Sequence, residues 1–178
     1  MSTRNSARLR ERLRRVKLFL CDVDGVLTDG AVWMGHGAES KRFNIRDGLG
    51  LKFLQQQGVK VGWVSRRPSA ATEQRANDLK VDFLVQGDAD KVAAVESVLR
   101  QTGLNWQALC FVGDDVVDVG VLRRAGVGVA VADGVLEARS AADYVTRARG
   151  GHGAVREMVE LILKAQGKWK QVVAEYAD

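Results

Sequence analysis

The chain has 178 residues, 46% hydrophobic and 28% charged, which excludes wholesale disorder and a collagen-like fibre and fits a single domain over 1–178 at roughly 100–200 residues per domain. No apolar run approaches the roughly 20 residues that a bilayer-spanning helix needs, and no hydrophobic signal core follows the basic start, so no membrane attachment and a cytoplasmic location are expected. The net charge is +5, but residues 1–17 alone sum to +6 and leave −1 for the rest, so the basicity belongs to an N-terminal extension (1–15) and no nucleic-acid partner is expected.

Within that extension Leu9, Leu13 and Val16 fall at helical steps, predicting a first helix with one apolar edge against the body. Val16–Cys21 is a nearly continuous apolar run and reads as the first strand. Ala31–Phe43 then places Val32-Trp33-Met34 and Ser40–Phe43 about Gly35-His36-Gly37, the pattern of a projecting β-hairpin. Helix Gly48–Gln57 and strand Val59–Val64 follow, with Trp63 in the core; Pro68 suits the first turn of helix Ser69–Leu79. Next come strand Asp82–Val85 and helix Asp90–Thr102, in which Val92, Val95, Val98 and Leu99 recur at helical steps. Strand Leu109–Val112, helix Asp115–Ala125, strand Val127–Val131 and helix Val135–Ala141 continue the alternation. Gly150-Gly151-His152-Gly153 leads into helix Ala154–Gln166 and a tail, 167–178. Strands apolar throughout, alternating with helices, predict an α/β doubly wound, mostly parallel Rossmann-like sheet covered on both faces. Cys21 and Cys110 lie inside apolar runs and are expected to be free core thiols in a reducing compartment.

In such sheets ligands bind beyond the carboxyl ends of the strands. The polar residues found there are Asp22 and Asp24 after the first strand and Ser65, Arg66 and Arg67 after the second. Lys91 follows the third; Asp114, Asp115 and Asp118 follow the fourth. The five acids cannot all stay ionised beside one another without a cation or proton uptake. An all-oxygen ligand set without His or Cys favours Mg²⁺. A carboxylate cage with Mg²⁺, joined by Lys91 and the Ser65 hydroxyl, offers positive potential and donors to a phosphoryl group. An aspartate can act as its nucleophile once metal screens the anionic repulsion.

Asp22-Val23-Asp24-Gly25-Val26, Ser65, Lys91 and Gly113-Asp114-Asp115-Val116-Val117-Asp118, in that order at strand ends, resemble the haloacid dehalogenase superfamily of phosphatases. Asp24–Gly30, Phe43–Gly48, Gln86-Gly87, Ala130–Asp133, Ala142–Thr146 and Gly153–Glu157 are similar to its capless branch acting on sugar-acid phosphates, over residues 16–166. The resemblance implies that Asp22 attacks phosphorus to form an aspartyl-phosphate and also binds Mg²⁺. It implies that Asp24 is the acid and base, with its backbone carbonyl on the metal. Asp114 would be the third metal ligand, supported by Asp115 and Asp118, while Ser65 and Lys91 hold the phosphoryl oxygens. Asp24 and Lys91 would also touch substrate, beside a loop of Asn44, Ile45, Arg46, Asp47 and Gly48 and the side chains of Lys52, Arg67 and Arg75. The implied substrate is 3-deoxy-D-manno-octulosonate 8-phosphate, in lipopolysaccharide precursor synthesis, with a nine-carbon sialic-type 9-phosphate as the alternative. A homotetramer is implied, with Trp33 and Met34 as interface residues. The chain departs from the superfamily's usual Thr-Gly-Arg at Ser65-Arg66-Arg67, which keeps the hydroxyl and adds a cation.

Two non-enzymes share parts of this pattern. A phosphoacceptor receiver domain is also doubly wound, with acids, Mg²⁺ and lysine, but its acceptor lies on the third strand. A catalytically silent relative acting in regulation is the other. His36 and His152 read as loop or capping residues. Gly150–Gly153 suits either an anion cradle or a glycine-rich helix entry, and Arg156 either a substrate contact across subunits or cover for an acidic patch.

Overall fold

The computed structural model describes residues 3–35 and 37–177; His36 lies outside them. Helix α1 (Thr3–Arg14) precedes β1 (Leu18–Cys21), which is buried at every residue. The hairpin is β2 (Trp33–Gly35) against β3 (Ala38–Ser40), antiparallel. Then come α2 (Ile45–Gln56), β4 (Lys60–Ser65), α3 (Ala70–Leu79), β5 (Phe83–Gln86) and α4 (Lys91–Thr102). The second half adds β6 (Leu109–Gly113), α5 (Val119–Leu122), β7 (Val127–Ala130), α6 (Leu136–Ala141), β8 (Tyr144–Val145), α7 (Ala154–Ala165) and α8 (Trp169–Ala174). The main sheet runs β5-β4-β1-β6-β7-β8, and every pairing in it is parallel.

Alternation along β1 divides the core. Phe19 and Cys21 face one layer with Leu51, Leu54, Trp63, Met158 and Ile162, while Leu18 and Leu20 face another with Val95, Val98, Phe111 and Leu122. The first layer is roofed by α1, α2, α3, α7 and α8, the second by α4, α5 and α6, which is the doubly wound arrangement expected. Leu13 and Val16 are buried and Leu9 packs beside them, while Arg12 grips Asp143 at 2.6 Å with each terminal nitrogen. Burial pushes both cysteine thiols up, so they stay protonated. No described helix is long and apolar enough to cross a membrane.

Three expectations are corrected. The helix over Asp115–Ala125 is a 3-10 turn, Val116–Asp118, followed by the single turn of α5. The cause is Asp118, whose carboxylate folds back onto the N–H groups of Asp114 and Asp115. The C-terminal tail contains α8, anchored by buried Val172 and by Trp169 edge-on to Phe53 at 6.2 Å. Tyr144-Val145 adds a sixth strand that its two residues were too short to reveal.

Candidate active site

Beyond the carboxyl end of β1 the chain turns tightly: Leu27 and Thr28 both donate their N–H to Val23 O. Gly25 sits there at φ +86°, and a Cβ on it would collide with the Asp114 carboxylate. Glycine is required on both counts. Asp22 is nearly buried; its Oδ1 accepts the Val23 N–H at 2.6 Å and its Oδ2 lies 2.6 Å from Lys91 Nζ. Lys91 opens α4, whose N-cap Asp90 accepts the Ala93 N–H, so the helix start aims the ammonium back under β1. The same ammonium is 2.5 Å from Asp118 Oδ1. Asp118 is fully buried, and its Oδ2 takes the N–H of Asp114 at 2.9 Å and of Asp115 at 3.2 Å.

Carboxylate oxygens of Asp22, Asp114 and Asp118 lie within 4.8 Å of one another. Asp114 Oδ1 is buried without a hydrogen-bond partner. Burial, reinforced by Asp22 and Asp118, pushes the Asp114 carboxyl up to about 8. Burial likewise raises Asp22 to about 6 against the opposing pull of Lys91. A buried carboxylate oxygen with no donor, among anions that resist ionising together, is a donor set suited to a hard cation. The donor set therefore fits Mg²⁺: Asp114 Oδ1 accepts no hydrogen bond and each Asp22 oxygen has a single partner, whereas Asp118 already takes three, Lys91 on Oδ1 and two N–H groups on Oδ2.

Ser65, at the end of β4, is buried, with its Oγ bonded to the Arg67 backbone. Ser65, Lys91, Asp22, Asp24 and Asp114 meet in one cavity of about 220 Å³, with Arg66, Arg67 and Asp115 at its walls. Asp115 is exposed and caps the 3-10 turn through the Val116 N–H.

Of the residues expected around a sugar, Asp24, Lys91 and Arg67 line that cavity, and the others do not within one chain. Asn44 and Arg46 line a groove of about 510 Å³ with His152 and Arg156. Arg75 lines a third hollow of about 430 Å³ and pairs with Asp78 at 2.5 Å. Arg67 turns to Glu39, Ile45 and Lys52 are exposed, and Gly48 lets α2 pack against Arg75 and Leu79. Asn44 caps α2 through the Arg46 N–H. Asp47 is buried and accepts the N–H groups of Gly153 at 3.2 Å and Arg156 at 2.7 Å, so the start of α7 already has its carboxylate. Gly150 and Gly151 approach the backbone of residues 25–29 where a Cβ would not fit, which makes them a close-packing entry to the helix. Arg156 pairs with Glu160 at 3.0 Å and lies over the rings of Phe53 and Trp169.

Sequence reasoning missed Lys41. Its side chain is fully buried, 2.8 Å from Asp24 Oδ1. In the sequence it is one of two adjacent cations beside a hairpin, indistinguishable from a solvated charge; only the fold buries it.

The family model for haloacid dehalogenase-like hydrolases matches residues 83–158. The 3-deoxy-D-manno-octulosonate 8-phosphate phosphatase KdsC of Yersinia pestis is 41% identical over 159 residues, 89% of this chain and 85% of the relative. The protein of that name from Escherichia coli K12 is 39% identical over 164 residues, 92% of this chain and 87% of the relative. The crystal structure of 3-deoxy-D-manno-octulosonate 8-phosphate phosphatase from Moraxella catarrhalis, in complex with magnesium ion, phosphate ion and KDO, is similar at a TM-score of 0.92 and 37% identity, covering 94% of this chain and 97% of that one. The chain belongs to the haloacid dehalogenase-like hydrolases, in the family of 3-deoxy-D-manno-octulosonate 8-phosphate phosphatases.

Proposed function

We propose that this chain is a Mg²⁺-dependent phosphomonoesterase that hydrolyses 3-deoxy-D-manno-octulosonate 8-phosphate to the free sugar acid and inorganic phosphate, as a cytoplasmic homotetramer serving lipopolysaccharide synthesis. The observation that carries this reading is the meeting of Asp22, Asp24, Asp114, Ser65 and Lys91 in one small cavity. The Asp22 carboxylate attacks phosphorus and the bond to the sugar oxygen breaks, leaving an aspartyl-phosphate. Asp24 gives its proton to the departing sugar oxygen, then takes one from the water that attacks the aspartyl-phosphate. Ser65 donates a hydrogen bond to the phosphoryl group and Lys91 holds its charge. Asp22, Asp114 and the Asp24 carbonyl would hold Mg²⁺, which when bound screens the repulsion between carboxylate and phosphate. Asp118 orients Lys91 and the backbone before Asp115.

A cavity of about 220 Å³ accommodates the phosphoryl end and leaves the sugar body outside. Trp33 and Met34 on the hairpin are 71% and 75% exposed, and Ile45 is 72% exposed. Covering such apolar surface by neighbouring copies supports the tetramer and would bring Asn44, Arg46, Lys52, Arg67 and Arg75 of different copies around the sugar acid. The test is kcat/KM across a panel of sugar phosphates, with molar mass from light scattering. The eight-carbon substrate should be preferred by a tetramer; uniformly low values would overturn the substrate assignment and leave the phosphatase standing.

A further inference from the structure

Lys41 follows the hairpin strand β3, and its side chain is wholly withdrawn from solvent. A buried ammonium is tolerated when its protons have partners, and here they do. Nζ donates to Asp24 Oδ2 at 3.0 Å and to Thr72 Oγ1 at 3.1 Å, and Glu39 Oε1 lies 3.6 Å away. These partners come from the loop after β1, from α3 and from β3. Glu39 is itself held by Arg67 and by the Ser69 hydroxyl, so the ammonium stands in a fixed frame. Asp24 Oδ1 is buried and receives no hydrogen bond, although the ammonium charge is 2.8 Å from it. Both carboxylate oxygens thus lie within 3.0 Å of the ammonium, and the carboxylate it holds lines the cavity with Asp22 and Lys91.

We infer that Lys41 is a positioning residue for the reaction: it clamps the Asp24 carboxylate in one orientation at the edge of the cavity, and it ties that orientation to the base of the hairpin. The inference rests on the reading of Asp24 as acid and base. Lys41 does not touch the phosphoryl group, so its loss should weaken proton delivery and leave phosphate binding intact. An acid held in place matters most when the leaving group is a poor one, because an alkoxide must be protonated as it departs, whereas p-nitrophenolate leaves unaided.

The test compares 3-deoxy-D-manno-octulosonate 8-phosphate with p-nitrophenyl phosphate in the full-length enzyme with Mg²⁺. Lys41→Met keeps most of the stem volume and removes the charge. It should lower kcat/KM on the sugar phosphate, which reports the steps up to the aspartyl-phosphate, about 100-fold, toward the low end of what general acid catalysis contributes, while kcat/KM on the aryl phosphate and inhibition by inorganic phosphate stay near wild type. Retained kcat/KM on the aryl phosphate shows that the variant folds. Should it not fold, Thr72→Val removes one partner of the ammonium and no charge, and should give the same selective loss in weaker form. Asp24→Asn separates the two claims. If Asp24→Asn is selective but Lys41→Met, or its Thr72→Val substitute, slows both substrates equally or neither, the positioning role is overturned. If Asp24→Asn shows no selectivity, the acid assignment falls and takes the positioning role with it.

Discussion

The Lys91 ammonium lies 2.6 Å from Asp22, in a buried cluster that Asp118 closes at 2.5 Å. Burial pulls the Lys91 pKa down, but the Asp118 and Asp22 carboxylates outweigh it and hold the group above its ordinary value. Removing one partner of such a cluster strands a buried charge, at a cost of about 3–5 kcal/mol. Lys91→Met should therefore lose about 3 kcal/mol of stability by that mechanism, along with phosphatase activity. Adding Asp118→Asn should recover part of the stability and none of the turnover. Urea unfolding run beside the phosphate-release assay checks both; an unchanged midpoint in Lys91→Met would contradict the account.

Asp47 is predicted to act on stability. It belongs to the segment that the family resemblance marks as a substrate loop, which the structure shows as the cap and first turn of α2, and its carboxylate accepts two N–H groups at the start of α7. Asp47→Ala leaves those donors bare, a loss of about 1–2 kcal/mol by analogy with helix caps. Thermal melts should show it, while turnover of p-nitrophenyl phosphate per folded molecule stays at the wild-type level.

How far the sequence discloses this molecule depends on what each residue needs to be recognised. β1, β4, β6 and β7 are legible because strands covered on both faces must be apolar at nearly every position. Asp22, Ser65, Lys91 and Asp114 are legible because parallel strands deliver their following residues to one edge, and the structure does gather them. The helix expected over Asp115–Ala125 fails because a hydrogen bond from backbone to the Asp118 side chain, invisible to periodicity, tightens the turn. α8 escapes notice because Val172 is its only buried residue. Lys41 could not have been found, since its meaning comes from partners 17 and 31 residues away.

Arg66 is exposed and lines the same cavity as Asp22, whereas neighbouring Arg67 is engaged by Glu39. A guanidinium there can add one charge-assisted hydrogen bond to an anionic substrate. Arg66→Gly should raise KM about tenfold, at the lower end of what such a bond contributes, with kcat unchanged. Steady-state kinetics on the sugar phosphate decides it; if neither parameter moves, Arg66 takes no part in binding.

Burial raises Asp114 to about 8 and Asp22 to about 6, above the ordinary carboxylate range. A folded-state pKa raised in this way makes ionisation disfavour the fold. The stability is present in full below the ordinary carboxylate pKa and is lost as pH climbs through 6 and then 8. Mg²⁺ binding to the ionised pair reverses that loss. In EDTA the melting temperature should fall between pH 5 and pH 8, and added Mg²⁺ should raise it far more at pH 8. Asp114→Asn should flatten both dependences; an equal Mg²⁺ effect at the two pH values would contradict this.

The most direct test is to quench a single turnover of 3-deoxy-D-manno-octulosonate 8-phosphate in acid, within milliseconds of adding Mg²⁺, and map the protein by peptide mass spectrometry. A phosphoryl adduct on Asp22, absent in EDTA and absent in Asp22→Asn, is the predicted result. Release of phosphate at the wild-type rate by Asp22→Asn, or an adduct on any other side chain, would contradict the account.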